Sequence, residues 1–365
     1  MGRALRLARR GQGRVEPNPM VGCVLAKRGR VVGEGWHRRF GGPHAEIEAL
    51  RCAQSKAAGA TAYVTLEPCC HKGKTGPCTK ALIEAGIARV VAAMTDPFTK
   101  VRGKGFRVLR KAGVDVRVGC LEADARELNG PYLMLREKGR PWVIAKWAMS
   151  LDGRIATHTG HSQWISGEAS RRMVHALRGR VDGVIVGIGT VLADDPMLTC
   201  RSSKPKRPAT RIVLDSRLRI RTGSALVKSA KEVPVLIAST QQAAANKRER
   251  LERRGCEVLV CADKGGRVDV ADLLRNLGQR EMTNVLVEGG AGIHGAFFDA
   301  GRIDEVLAFV SPKLIGGAGA PGPIAGIGRP TVGEAAFGSG WTVKKVGEDT
   351  LIRGRLAGNA DNPGS

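Results

Sequence analysis

The amino-acid sequence predicts an α/β protein with two domains. At 365 residues it exceeds what one ordinary core covers, and its 42% hydrophobic content is enough for two packed interiors. Short apolar segments alternate with segments of helical periodicity in both halves, a pattern typical of helices packed on sheets. The breaker cluster Gly139-Arg140-Pro141 separates the halves. We therefore expect domains at 1–140 and 141–358, followed by a disordered tail at 359–365.

The first domain shows both periodicities from its beginning. Apolar alternation predicts strands at 21–26, 30–34, 62–66, 89–93 and 115–118. Helical spacing predicts helices at 45–58, 79–85, 104–112 and 122–137. Gly86 and Gly113 follow two of these helices, where a left-handed glycine commonly ends a helix.

The second domain repeats the alternation over a longer stretch. We expect strands at 142–148, 181–188, 211–215, 233–238, 284–288 and 305–310, and helices at 167–177, 243–254, 270–277 and 292–300. No Gly-x-Gly-x-x-Gly follows the first strand, so an ordinary dinucleotide fold is not indicated. Instead, a glycine-rich turn at 288–292 follows a strand and opens a helix, where bare backbone amides could cradle a phosphate.

The charge balance points to anionic partners. Lysine and arginine number 59 against 34 acidic residues, a formal net charge of +25, but aromatic residues make up only 4%. Stacking on bases needs aromatic side chains, so the composition favours a phosphorylated small molecule over nucleic acid. No apolar run is long enough to span a membrane, and no secretory signal is evident. We expect a cytoplasmic homo-oligomer.

The nine cysteines, an odd number without a secretory signal, favour reduced thiols over a disulfide framework. Six of them lie away from the metal motif described next and are expected to be small buried residues. These are Cys23, Cys52, Cys120, Cys200, Cys256 and Cys261.

One motif carries the chemistry of the first domain. His44-Ala45-Glu46 precedes Cys69 and Cys78, each of which follows a proline. One histidine and two cysteines supply three zinc ligands and leave the fourth position to water. Glu46, which need not bind the metal, can carry protons. This arrangement is typical of zinc-dependent hydrolytic deaminases.

Other interpretations of the motif stay open from the residues alone. Cys70 or His71 could supply a fourth ligand and close the site into a structural zinc knot. A nucleic acid deaminase related to the tRNA-editing enzymes is the main alternative function, with the basic second half binding RNA. That reading predicts a short Pro-Cys-x-x-Cys, whereas eight residues separate Cys69 from Cys78. The third interpretation is a basic scaffold protein whose zinc is structural.

Several ordered motifs carry a family resemblance over about residues 3–357. In the first half they are 17–22, 43–46 and 66–78, and in the second half 146–154, 162–165, 190–196 and 287–290. The first set resembles the pyrimidine deaminase of riboflavin biosynthesis, and the second resembles the reductase half of the same bifunctional enzyme family. The resemblance implies a cytidine-deaminase-like three-layer α/β/α domain followed by a dihydrofolate-reductase-like α/β domain.

The resemblance also implies two reactions. The first is zinc-dependent deamination of 2,5-diamino-6-(5-phosphoribosylamino)pyrimidin-4(3H)-one, with Glu46 catalytic and His44, Cys69 and Cys78 as ligands. The second is NADPH-dependent reduction of the ribosyl group of 5-amino-6-(5-phosphoribosylamino)uracil to ribityl. By family position, Asn18 and Glu67 would contact the base. The residues expected at the ribose phosphate end are His37, His71, Lys74 and Thr75.

The reductase positions are assigned in the same way. The implied NADPH-binding residues are Ala148, Trp164, Thr190, Asp194, Ser216, Gly290, Ala291, Gly292, Ile293, His294, Gly295 and Ala296. The implied substrate-binding residues are Lys146, Ser162, Arg178, Leu198, Arg201 and Glu288. Lys146, Asp194 and Glu288 are the ionisable candidates for proton transfer. Two departures from the family pattern are Glu48, where many relatives carry His or Asn, and Gly76, which replaces a usual proline.

Overall fold

The structure is a computed structural model that describes residues 1–71, 76–201, 207–336 and 338–356. The chain forms two compact units, of which the first is Met1–Gly139 and the second begins at Arg140. The predicted site residues Lys74 and Thr75 and the predicted tail 359–365 lie outside the described residues. Within the described ranges, no helix has the length and apolar character needed to cross a membrane.

The first unit is built on a five-stranded sheet with the order β2-β1-β3-β4-β5. Its strands are β1 Gly22–Lys27, β2 Arg30–Trp36, β3 Thr61–Val64, β4 Arg89–Ala92 and β5 Asp115–Val118. Its α-helices are α1 Gly2–Ala8, α2 Ala45–Ala53, α3 Cys78–Glu84, α4 Lys104–Lys111, α5 Glu122–Leu128 and α6 Gly130–Lys138. β1 pairs antiparallel with β2 and β3, while β3, β4 and β5 are parallel.

The side chains of β1 point alternately to the two faces of the sheet, and helices pack on both faces. Cys23 and Leu25 pack into a buried cluster with side chains of α2, α3 and α4. Val24, between them, packs on the other face against Ala4 and Leu7 of α1. Successive strand residues point to opposite faces, so both faces are covered by helices. The predicted three-layer α/β/α architecture is confirmed.

Two helix predictions in this unit need correction. The stretch 122–137 is not one helix, because it breaks at Asn129 into α5 and α6. The Asn129 side chain accepts a hydrogen bond from the backbone N–H of Met20 and donates one to its carbonyl. Helix α6 then begins at Gly130, with Pro131 in its first turn. Helix α1 was not predicted at all, and α2 ends at Ala53 before a 3₁₀ turn at Gln54–Ala57.

The second unit has a nine-stranded sheet with the order β10-β9-β8-β7-β13-β6-β14-β16-β15. The strands are β6 Trp142–Ser150, β7 Gly183–Gly187, β8 Thr210–Leu214, β9 Val235–Ser239, β10 Glu257–Val260, β13 Asn284–Val287, β14 Glu305–Ser311, β15 Gly338–Val346 and β16 Asp349–Leu356. A separate two-stranded hairpin consists of β11 Asp263–Lys264 and β12 Arg267–Val268. The α-helices are α7 Glu168–Arg178, α8 Ile188–Asp194, α9 Ala225–Lys228, α10 Ala245–Arg253, α11 Val270–Gln279 and α12 Ala291–Asp299.

The long sheet is parallel from β10 to β14, and both of its faces are buried. Leu286 of β13 belongs to one apolar cluster, whereas its neighbours Val285 and Val287 belong to the other. The first cluster includes side chains of α7 to α10, and the second includes those of α11 and α12. Burial on both faces explains why the central strands are almost entirely apolar. The predicted α/β class is confirmed for this unit as well.

Some elements of the second unit escaped the sequence pattern. The hairpin β15–β16 adds two antiparallel strands beside β14, although most of β15 is exposed and shows no apolar alternation. The predicted strand 181–188 ends at Gly187, where α8 begins, and β10 was also missed. Of the six cysteines expected to be buried, Cys23, Cys256 and Cys261 are buried, Cys120 and Cys200 are partly buried and Cys52 is exposed.

Candidate active sites

The predicted zinc ligands of the first unit lie at the ends of secondary-structure elements. His44 caps the N-terminus of α2, and Cys78 is the first residue of α3. Cys69 lies on the loop after β3 and accepts a hydrogen bond at its Sγ from the backbone N–H of Cys78, at 3.4 Å. The starts of α2 and α3 therefore bring His44 and Cys78 together beside the loop that carries Cys69.

The three donor atoms converge as a metal site requires. His44 Nδ1 lies 3.2 Å from Cys78 Sγ and 3.5 Å from Cys69 Sγ. All three donors lie within 4.8 Å of one another. The hydrogen bond from the Cys78 thiol lowers the pKa of Cys69, so that one thiolate is already favoured. Nitrogen and sulfur donors in this number suit an open zinc site.

Neither candidate fourth ligand joins this group. Cys70 Sγ lies 3.9 Å from the carbonyl oxygen of Lys100, and the His71 ring packs edge-on against Phe98 with centroids 6.0 Å apart. The convergent donor group contains only the three predicted ligands among the residues that the structure describes. The geometry therefore favours an open site over a closed zinc knot.

Glu46 lies in the first turn of α2, next to this donor group, and is only 3% exposed. Burial, followed by the charge of Cys69, raises the pKa of Glu46 to about 6. A carboxyl group with a pKa near neutrality can both accept and return a proton. The structure thus places a buried carboxyl group beside the donors, and its role as a proton carrier stays a prediction of the His-Ala-Glu motif.

Asn18 and His37 adjoin the donor group. The Nδ2 of Asn18 lies 3.2 Å from His37 Nε2, and His37 Nδ1 lies 2.9 Å from the carbonyl oxygen of Pro43. A ring nitrogen facing a carbonyl must donate, so Nε2 is left to accept from the Asn18 amide. The His37 ring is also edge-on to that of His44, with centroids 5.3 Å apart. Burial lowers the pKa of His37, which keeps the ring neutral.

Glu67 has a structural setting that its sequence position did not reveal. Its carboxylate accepts hydrogen bonds from the backbone N–H groups of Asp96, Gly103, Gly105 and Phe106 at 2.9 to 3.4 Å. These bonds tie the start of α4 to the loop that carries Cys69. The predicted contact of Glu67 with the base stays a prediction, since both oxygens already have protein partners.

The two departures from the family pattern have simple surroundings. Glu48 forms ion pairs with Arg38 at 3.0 Å and with Arg51 at 3.2 Å. It is therefore engaged by arginines rather than being a free exposed helix residue. Gly76 is exposed, and a Cβ there would meet nothing within 4 Å.

The second unit contains a cavity of about 830 Å³ at the carboxyl ends of β6, β7, β8 and β13. Parallel α/β sheets commonly bind ligands at this edge. Predicted residues that line the cavity are Lys146, Ala148, Ser162, Thr190, Asp194, Ser216, Glu288, Gly290, Ala291, Gly292, Ile293 and Ala296. Gly290 caps the N-terminus of α12, and a Cβ on Gly290 or Gly292 would meet nothing within 4 Å. This bare helix N-terminus fits a cofactor phosphate.

The other predicted reductase residues do not line this cavity. Leu198 is 4% exposed within the core, and His294 is fully buried between the carbonyl oxygens of Val287 and Pro323. Gly295 approaches the backbone of Ala325 too closely for a Cβ. Trp164 is 60% exposed under the Arg171 guanidinium, Arg201 is exposed, and Arg178 reaches the cavity only through Glu288.

A buried charge cluster lies at the inner end of the cavity. Arg178 forms two hydrogen bonds with the Glu288 carboxylate, and Lys146 Nζ lies 3.7 Å from Glu288 Oε2. Burial opposes ionisation of Glu288, but the two cations outweigh it and lower its pKa. Burial also lowers the pKa of Lys146, which eases loss of its proton. The cluster can hold a polar substrate group and supply a proton.

Sequence reasoning missed three cavity-lining arginines, Arg217, Arg219 and Arg267. Arg217 and Arg219 belong to an alternating basic and apolar segment after β8, and Arg267 belongs to the β11–β12 hairpin. The alternation of basic and apolar residues after β8 could have indicated Arg217 and Arg219. No local sequence pattern relates Arg267 to these two arginines.

Two protein families match the chain. The family described as the RibD C-terminal domain matches residues 141–346, and that described as the cytidine and deoxycytidylate deaminase zinc-binding region matches residues 1–94. Riboflavin biosynthesis protein RibD of Actinobacillus pleuropneumoniae is 42% identical over 96% of this chain and 93% of its own length. The protein of the same name from Escherichia coli (strain K12) is 43% identical over 87% of this chain and 88% of its own.

Solved structures agree over almost the whole chain. Acinetobacter baumannii RibD, form 1, superposes with a TM-score of 0.87 at 36% identity, covering 98% of this chain and 97% of that one. A diaminohydroxyphosphoribosylaminopyrimidine deaminase/5-amino-6-(5-phosphoribosylamino)uracil reductase from Thermotoga maritima superposes with a TM-score of 0.84 at 35% identity and the same coverage.

Proposed function

Because this chain belongs to the RibD family of bifunctional riboflavin biosynthesis proteins, we propose that its two units perform successive steps on one phosphorylated pyrimidine. The unit before Arg140 deaminates 2,5-diamino-6-(5-phosphoribosylamino)pyrimidin-4(3H)-one. The unit from Arg140 onward reduces the ribosyl group of the deaminated product with NADPH. The convergence of His44, Cys69 and Cys78 beside buried Glu46 carries the proposal.

In the deaminase unit, His44, Cys69 and Cys78 would hold zinc, and a bound zinc ion would supply Lewis-acid activation of a water molecule. Glu46 accepts a proton from that water as its oxygen attacks the ring carbon bearing the exocyclic amine. It passes that proton to the ring nitrogen. It then accepts the second proton from the hydroxyl group added to the ring carbon and passes it to the departing amine, which leaves as ammonia. A pKa of about 6 suits Glu46 to both transfers.

The remaining polar groups of this unit bind and orient the substrate. Asn18 is positioned by its contact with His37, and its amide oxygen is free to accept from an exocyclic amine. His71, Lys74 and Thr75 belong to the sequence segment between the two cysteine ligands, which we assign to the ribose phosphate. A sequence rich in hydrogen-bond donors suits a phosphate.

In the reductase unit, the N-terminus of α12 would hold the cofactor pyrophosphate, and Thr190 and Ser216 line the same cavity. NADPH supplies the hydride when bound. Opening of the ribose ring breaks the bond from C1 to the ring oxygen. In this proposal Lys146 gives that oxygen a proton and C1 receives the hydride, and the ion pair of Lys146 with Glu288 supports the role of Lys146. One hydride and one proton are thereby consumed for each ribityl group formed.

Three further features of the assignment are proposals from composition. The substrate is a small molecule rather than nucleic acid, because aromatic residues are too few for base stacking. We also propose a homo-oligomer, which light scattering would check, and a cytoplasmic location, which suits a chain whose nine cysteines are all unpaired thiols.

Product analysis by mass spectrometry tests the proposal. The purified full chain is incubated with zinc, NADPH and the diaminopyrimidinone ribotide. A product both deaminated and reduced supports the assignment of both units. A deaminated but unreduced product confines activity to the first unit, and unchanged substrate contradicts the proposal. The deaminated ribotide, supplied separately, tests the reductase unit without depending on the first step.

A further inference from the structure

We propose that Arg217, Arg219 and Arg267 form an anion subsite that binds the 2′-phosphate of NADPH and so selects NADPH over NADH. The inference rests on the cofactor site assigned above to the cavity of the second unit. All three arginines line that cavity.

The segment after β8 is held so that two arginines face the same side. Leu218 and Ile220 are 1% and 6% exposed and anchor the segment in the core, while the intervening arginines are exposed. The carboxylate of buried Asp215 accepts a hydrogen bond from the backbone N–H of Ile220 at 2.8 Å. Core anchoring at alternate residues leaves Arg217 and Arg219 on the open side of the segment, at the cavity.

The third arginine comes from the β11–β12 hairpin. Gly265 and Gly266 form its tight turn, both with positive φ, and Lys264 pairs with Arg267 across the ladder. The backbone N–H of Val268 donates to Ser216 Oγ at 3.1 Å. This bond joins the hairpin to the segment after β8, so that Arg267 and Arg217 flank one point of the cavity wall.

Within the described part of the chain, none of the three arginines has an ion pair or hydrogen bond to a carboxylate. The nearest acid in the hairpin, Asp263, is already engaged, since its two oxygens accept from Gly266 N–H and Gln242 Nε2. The only acidic residues that line the cavity are Asp194 and Glu288, and Glu288 is paired with Arg178 and Lys146. Three uncompensated guanidinium groups on one cavity wall favour an anion of high charge.

The three arginines lie apart from Lys146 and Glu288, the residues assigned to the substrate. In the sheet, β8 lies two strands from β13 and three from β6, which carries Lys146. With strands spaced about 4.8 Å apart, the arginines stand about 10 Å from the end of β13 and about 14 Å from Lys146. An extended dinucleotide with its pyrophosphate at α12 spans this distance. A compact ribotide held at Lys146 and Glu288 does not.

The chemistry of the groups matches a phosphate monoester. Such a group carries about −1.5 to −2 charges at pH 7. Arginine presents a planar fork of donors that binds phosphate oxygens at two points. NADPH and NADH differ only in this monoester on the adenosine ribose, so a subsite for it discriminates between the two cofactors.

Binding of the adenosine fragments alone tests the inference without catalysis. The zinc-loaded full chain is titrated by calorimetry with 2′,5′-ADP and with 5′-AMP, and with NADPH and NADH by fluorescence. We expect tighter binding of 2′,5′-ADP than of 5′-AMP. Arg217→Ser, Arg219→Ser and Arg267→Ser should each weaken 2′,5′-ADP by about 10-fold and leave 5′-AMP within about 2-fold.

Two matched controls lie beside the subsite. Arg221 is exposed in the same segment as Arg219, and Lys264 is exposed opposite Arg267, but neither lines the cavity. Arg221→Ser and Lys264→Ser should leave the preference for 2′,5′-ADP unchanged. An equal loss in the controls would assign the effect to general surface charge and overturn the inference.

The outcomes distinguish a failure of the arginine subsite from a failure of the reductase assignment. If the wild-type chain binds NADPH and NADH equally and still reduces the deaminated ribotide, the arginine subsite is wrong and the reductase assignment stands. If it binds neither cofactor, both are wrong. If the three variants instead raise the KM for the ribotide and leave 2′,5′-ADP binding intact, the wall binds substrate phosphate and the inference is overturned.

Discussion

Arg178 and Glu288 form a two-point ion pair between positions 110 residues apart, with Arg178 Nε 2.7 Å from Glu288 Oε1 and Nη2 3.0 Å from Oε2. The pair joins the last residue of α7 to the residue that follows β13. Both side chains are largely buried. Their geometry therefore keeps a carboxylate ionised at the inner end of the cavity, 3.7 Å from Lys146 Nζ.

Glu288→Gln should destabilise the second unit by about 3 kcal/mol at pH 7, because two buried cations lose their counter-charge. The folded-state pKa of Glu288 lies below its usual value, so its contribution to stability is full above about pH 4.5 and is lost as pH falls through the folded pKa. The difference in unfolding free energy between the wild type and the Glu288→Gln variant should therefore become smaller below about pH 4. Urea unfolding at several pH values measures it.

The exposed pair of Glu168 and Arg172 provides the control for that experiment. Glu168→Gln should change the unfolding free energy by less than about 0.5 kcal/mol, because exposed helix pairs contribute little. A Glu288→Gln variant that behaved like this control would show that the buried pair is not a stabilising element.

Glu46→Gln should lower the rate of ammonia release by about 10²- to 10⁴-fold, since the amide cannot carry protons. Zinc content, measured by atomic absorption, should stay at the wild-type level because Glu46 is not a ligand. Reduction of the deaminated ribotide should also be unchanged. Glu84→Gln, at an exposed position of α3, serves as the control. Loss of zinc in the Glu46 variant would contradict the assigned role.

Gly105→Ala should weaken zinc binding even though Gly105 is not a zinc ligand. A Cβ at Gly105 would lie 2.1 Å from the carbonyl oxygen of Pro68, the residue before Cys69. The backbone must shift to accept it, and the shift moves a ligand. Competition with a chelator should show weaker retention of zinc by Gly105→Ala than by Gly76→Ala, where the added Cβ meets nothing within 4 Å. Equal retention would show that the loop absorbs the change.

Removal of zinc, by chelation or by Cys78→Ser, should abolish deamination and spare the reductase. Every residue assigned to NADPH belongs to the unit that begins at Arg140. Cofactor titration of the zinc-free chain should therefore give the same NADPH affinity as the loaded chain, within about 2-fold. A large loss of NADPH affinity would reveal that the second site depends on the first unit.

Local patterns in the sequence were sufficient for much of the fold and for the metal site. The apolar runs 212–214 and 285–287, within the predicted strands 211–215 and 284–288, indicated β8 and β13 because strands buried in parallel sheets are rich in apolar residues. The hairpin β15–β16 escaped because its outer strand is exposed and carries no apolar alternation. The break at Asn129 escaped because its cause is a pair of hydrogen bonds to Met20, far away in the sequence.

The sequence by itself determined the zinc donors, since a metal requires particular atoms and His44, Cys69 and Cys78 are recognisable by type and setting. Only the tertiary structure decided what partners those atoms and others have. Glu67 is occupied by backbone N–H groups, Glu288 is held by Arg178, and Arg267 is brought beside Arg217 through Ser216. Such contacts join segments tens of residues apart through long-range packing, which leaves no periodic trace in either segment.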